Sequence, residues 1–121
     1  MELLVLVIKQ TRFLDDILTG FVDIGIKGAT VVDCRGMGQI LMADVPIFSG
    51  LRDLMPGGNI GSHMIFSVAD EEKIDKAVDL VEEIYSNLEE EGMGVLFTLP
   101  VKRFRGFLKD KKISSKEDDK S

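Results

Sequence analysis

The chain contains no tryptophan, one tyrosine, one histidine and one cysteine, and its basic residues are outnumbered by acidic ones. Each scarcity removes a class of function. A single cysteine, Cys34, cannot close a disulfide within the chain or build a cysteine-based metal cluster, which points to an intracellular, cytoplasmic protein whose thiol packs as a small apolar group. The single histidine, His63, opens a predicted strand and has no sequence neighbour to orient it beside a nucleophile, so it reads as a surface or interface residue. With 15 basic and 21 acidic residues the net charge is −6, which argues against broad contact with nucleic acid and against an anionic membrane surface. An RNA-reading sheet would also need stacking aromatics, and the third predicted strand offers only Phe66. Acidic neighbours such as Glu71-Glu72 and Glu82-Glu83 stand on a predicted helix, where adjacent side chains diverge by about 100°, so they read as a solvated face and no metal site is expected. After Ile8 come Lys9, Gln10, Thr11 and Arg12, with no glycine-rich cradle for an anion, and no enzymatic site is expected.

What the sequence does contain is enough apolar residue for one domain. A chain of 121 residues with 45% hydrophobic content can bury roughly two-thirds of its unfolded surface. The run LLVLVI over residues 3–8 is too short for the apolar region of a signal peptide and has no basic residue before it, so it reads as a strand covered on both faces. Thr11 is a candidate cap for a helix with apolar positions Phe13, Leu14, Ile17, Phe21 and Ile24, and Gly25 is its stop. A β-branched run over residues 29–35 predicts the second strand, and residues 63–68 (HMIFSV) the third. Between them, residues 39–62 show no regular element of length, and so long a loop inside a compact domain is expected to be functional. Asp70 is placed to cap a second helix, whose stripe of Ile74, Ala77, Val78, Val81, Ile84, Tyr85 and Leu88 ends at Gly92. Residues 95–101 predict a fourth strand in which Pro100 marks an edge or an end. The expected division is a domain over residues 1–109 and a charged, disordered tail over 110–121.

The order β-α-β, β-α-β specifies an α+β fold, a ferredoxin-like sandwich in which two helices cover one face of a four-stranded antiparallel sheet. Strands that are apolar on both sides leave the second face in need of a cover, and other copies of the chain are the expected one. The loop carries Leu41, Met42, Ile47, Phe48, Leu51, Leu54 and Met55, and so many apolar side chains require a surface to bury against.

Two short stretches carry a family resemblance. RGMGQIL, residues 35–41, leaves the second strand, and EGMGVLF, residues 91–97, enters the fourth. Together with FLDDI at the first helix and IKGATVVDCRGMG at the second strand, they resemble the PII signal-transduction family. The resemblance implies a cytoplasmic homotrimer engaged in nitrogen regulation, with inward-facing sheets and three inter-subunit clefts where the two glycine turns converge on an adenine nucleotide. It implies a ligand site formed by Ile8, Gly28, Ala29, Thr30, Gly36, Met37, Gly38, Gln39, Ser67, Gly92, Met93, Gly94 and Phe97, with Arg103 and Arg105 matching the family's C-terminal arginine pair. It also implies that the 39–62 loop grips a protein target, an enzyme, a transporter or a regulator. Gln39-Ile40 stand where nucleotide-binding members of the family carry Arg-Gln, and Val95 where they carry a phosphate-binding lysine, so weakened phosphate contacts are expected. A trimeric interaction scaffold without nucleotide is the alternative that these residues leave open.

Overall fold

A computed structural model of the protein describes residues 1–9, 11–44, 62–86 and 94–107. Its elements follow in the order β1 (Glu2–Ile8), a 3-10 turn (Thr11–Phe13), α1 (Leu14–Ile24), β2 (Thr30–Cys34), α2 (Met37–Asp44), β3 (Ser62–Ala69), α3 (Glu71–Ser86) and β4 (Gly94–Pro100). The four strands form one sheet in the order β2-β3-β1-β4, and every neighbouring pair is antiparallel. This is the ferredoxin-like arrangement that the order of elements predicts.

Alternation along the strands sorts the core from the rest. Leu4, Leu6 and Ile8 of β1 and Ile65 of β3 are essentially inaccessible to solvent and pack with Ile17 and Phe21 of α1 and Ile74, Ala77 and Val81 of α3. Burying each of these large side chains is worth roughly 1.5–3 kcal/mol, so the helix-covered face supplies most of the apolar stabilisation. The residues between them, Leu3, Val5 and Val7, point the other way. They join Val32, Met64, Phe66, Val95, Phe97 and Leu99 on a second face that no helix among the described residues covers. Val95 is 59% exposed there, Phe97 46% and Leu99 47%.

Helix ends are set by local chemistry. Gly25 closes α1 in a left-handed conformation (φ 106°), and its N–H returns to the carbonyls of Phe21 and Val22. Thr11 does not cap α1: the helix proper starts at Leu14, after the 3-10 turn, and the Thr11 hydroxyl is engaged with His63 instead. Asp70 directly precedes α3, and the Ile74 N–H donates to its carbonyl at 2.9 Å. Pro100 is the last residue of β4, an edge strand, where a missing N–H costs little.

The largest departure from expectation is α2. Residues 37–44 are helical rather than the start of a structureless loop. Its cause lies in the glycine stretch itself: the Gly36 N–H donates to the side-chain oxygen of Gln39 at 2.7 Å, three residues on, and the Ile40 N–H to the Gly36 carbonyl at 3.1 Å. A side chain at the third helical position that reaches back to the cap residue is one half of a capping box, and good helix formers follow it. Residues 45–61 of the expected loop, the second glycine pair's Gly92 and Met93, and the division at residues 109 and 110 lie outside the described residues.

Candidate functional site

Strand register brings distant residues to one end of the sheet. Asp33, His63, Ile8 and Gly94 are directly paired across β2, β3, β1 and β4 and form a single row. Gly36 follows β2 and Gly94 opens β4, so these two glycines lie at the same end of the sheet but beside opposite edges. Three strand spacings separate those edges, about 14 Å. Within one chain Gly36 and Gly94 do not form neighbouring walls.

Their glycines also serve different purposes. A side chain at Gly94 would meet the Tyr85 ring at 3.0 Å and the Val7 carbonyl oxygen at 3.3 Å, so it would crowd both neighbours and require them to give. Tyr85 is itself wedged edge-on against Phe13, with ring centres 5.8 Å apart, and its burial raises the phenol's pKa. Among the described residues, a side chain at Gly38 would meet nothing within 4 Å, and the same is true of Gly28. Packing among the described residues therefore does not require glycine at either position.

Gln39 is held inside the fold. It is 7% exposed, and its side-chain oxygen accepts from both the Gly36 N–H and the Ser62 hydroxyl, at 2.7 and 3.2 Å. That pair of bonds fastens the start of α2 to the start of β3. The spacing Gly36-x-x-Gln39 was a readable signal for this, because glycine tolerates a cap position and glutamine is a capping-box residue.

At the opposite end of the sheet lies an open cleft of about 700 Å³. The segment 25–30 between α1 and β2 forms one wall, the end of β3 and Asp70 another, and Met1, Lys73 and Phe104 complete it. Four of the expected ligand residues meet here: Gly28, Ala29, Thr30 and Ser67. The Ser67 hydroxyl donates to the Gly28 carbonyl, which ties the wall to β3. Lys73 donates to the Gly25 carbonyl at 3.2 Å, placing an ammonium at the C-terminal end of α1 where carbonyl dipoles favour it. Lys27 adds a second cation, Asp70 one carboxylate, and Phe104 an aromatic surface.

The other expected residues are distributed away from this cleft. Ile8 is wholly buried in the core, Phe97 stands on the open sheet face, and Gly36, Met37 and Gly38 lie at the start of α2. Arg103 and Arg105 are exposed beside Phe104, and Arg105 donates to the Phe104 carbonyl at 3.3 Å; neither lines the cleft. Leu41 is half-buried in α2, and nothing describes the side chain of Met42 or residues Ile47, Phe48, Leu51, Leu54 and Met55. Sequence reasoning missed Lys27, Lys73 and Phe104. Lys27 was within reach of inspection beside Gly28, but Lys73 joins the cleft only because α3 starts where β3 ends.

A search of curated proteins returned no match. The family described as Nitrogen regulatory protein P-II matches over residues 1–110. That span includes every strand and helix above, with both glycine stretches and the cleft, and the chain belongs to the nitrogen regulatory protein P-II family of regulatory, signal-transducing proteins.

Proposed function

We propose that the protein is a homotrimeric regulator that binds a small anionic effector, with an adenine nucleotide as the leading candidate, and passes its presence to a protein partner through residues 39–62. The observation that carries this reading is the cleft. It gathers Gly28, Ala29, Thr30 and Ser67 with two lysines and an aromatic ring, the chemistry that a flat base and a phosphate require. Lys27 and Lys73 supply positive charge that Gln39 and Val95 do not. A charge-assisted hydrogen bond is worth roughly 1.5–3 kcal/mol, about one to two decades of affinity. Trimer formation is supported by the apolar sheet face, which exposes Val32, Val95, Phe97 and Leu99. A neighbouring subunit is also the route by which the β2 end of one chain can approach the β4 start of another, since one chain holds them on opposite edges.

Calorimetry with ATP, ADP, AMP and cyclic AMP tests the proposal. Heat is expected from at least one of them, reduced about tenfold or more in affinity by Lys27→Ala or Lys73→Ala. Gly28→Val should block binding while the fold is kept, because no described residue lies within 4 Å of the Cβ position. Silence from all four nucleotides at millimolar concentration would remove the nucleotide reading.

A second reading, a trimeric scaffold without nucleotide, is favoured by the inward commitment of Gln39 and by the packing reason for Gly94. It predicts no heat from any nucleotide together with an intact trimer in light scattering.

A further inference from the structure

Thr11, His63 and Asp33 come from three separate elements and meet at the end of the sheet away from the cleft. His63 Nδ1 lies 2.9 Å from Asp33 Oδ1, and His63 Nε2 lies 3.0 Å from Thr11 Oγ1. A carboxylate can only accept, so Nδ1 donates to Asp33, and in the neutral imidazole Nε2 then accepts from the Thr11 hydroxyl. Hydroxyl, base and orienting carboxylate therefore stand in the order that nucleophilic catalysis uses, an order recognised by geometry rather than by sequence position. The His63 side chain is 18% exposed and held in place, that of Asp33 is 88% exposed, and Thr11 is exposed to reagents. Because it is solvated, Asp33 adds little Coulombic energy; it positions the ring.

We propose that Thr11 is an acyl-acceptor site, its hydroxyl activated by His63, that takes an acyl group from activated esters. In the step, Thr11 Oγ1 attacks the carbonyl carbon of an aryl ester. An Oγ1–carbon bond forms, the bond from that carbon to the aryl oxygen breaks, and the aryl oxide leaves with the electron pair. The hydroxyl proton passes to His63 Nε2 and then to water, and nothing is oxidised or reduced. Stabilising the oxyanion is usually the largest contribution in acyl transfer, and these three side chains do not supply it. The donors must therefore be esters whose leaving group departs without help. The acylated Thr11 has no hydroxyl proton left to donate to Nε2, so modification breaks the bond between the 3-10 turn and β3.

The test uses the full chain and p-nitrophenyl acetate, with peptide mass mapping before and after hydroxylamine, which removes acetyl esters and leaves lysine amides in place. Thr19 and Thr98, both exposed, serve as references within the same molecule. A hydroxylamine-sensitive acetyl group is expected on Thr11 at a rate at least about tenfold above that on Thr19 and Thr98, since a positioned base contributes about 10²-fold or more. His63→Gln should bring Thr11 down to the reference rate, Asp33→Asn should fall between, and Thr11→Val should abolish the modification. Labelling of Thr11 at the rate of Thr19 and Thr98 in the unaltered chain would overturn the proposal whether or not the variants fold. Equal labelling in a folded His63→Gln chain, verified by circular dichroism, would overturn it as well.

Discussion

Gln39 shows how much one buried oxygen can organise. It accepts from the Gly36 N–H and the Ser62 hydroxyl, and replacing it with leucine would leave both donors near the interior without a partner there. An unsatisfied buried donor costs about 1–3 kcal/mol, so Gln39→Leu should lower the unfolding free energy by about that amount in urea titration. A change near zero would mean that water replaces the lost acceptor at no cost. Tyr85 offers a second test, since it is the only tyrosine in the chain and burial raises its pKa above 10.0. The folded state keeps the phenol protonated at a pH where the unfolded chain has begun to lose that proton. The stabilisation is therefore fully present below pH 10 and is lost as pH rises from about 10 through the raised folded value. Absorbance at the phenolate band reads this residue alone, and a folded-state midpoint at or below 10 would contradict the burial.

The elements raise their own questions of packing. At Gly94, where β4 begins, an added side chain would press on the Tyr85 ring of α3 at 3.0 Å. Gly94→Ala should cost about 1–3 kcal/mol by overpacking, and much of that should return in a Gly94→Ala, Tyr85→Leu double variant, because the clash is with one ring. Failure of the rescue would put the strain on the Val7 carbonyl instead. In α3, Ile74, Ala77 and Val81 recur at helical spacing and are all buried against the sheet. Ile74→Ala should cost about 2–5 kcal/mol, with calorimetric melting as the check. Both the α3 stripe and the LLVLVI strand were legible in the sequence, because periodicity is a local property. Helix α2 was legible only through its cap spacing, since glycines on both sides of Met37 suggest a turn until Gln39 is counted.

At the scale of the whole molecule, the sheet has one face under α1 and α3 and one apolar face open. Phe97→Asp, placed in the middle of β4 on the open face, should leave the core intact and dissociate an assembly built on that face. Light scattering should then report a monomer with an unchanged circular dichroism spectrum; an unchanged trimer would move the interface elsewhere. The same scale governs the sites. Amino-acid order alone settled the four strands, the two helices that cover the sheet, the ferredoxin-like order and the apolar character of both sheet faces, because hydrophobic spacing and turn residues act over a few neighbours. It could not say that Lys73 and Phe104 share a cleft with Gly28, that Gly36 and Gly94 sit beside opposite edges, or that Asp33 orients His63. Those facts rest on strand order and register between segments dozens of residues apart. Only the burial of Leu4, Leu6, Ile8 and Ile65 against the helices selects that register, because a slip of one residue would turn the core face outward.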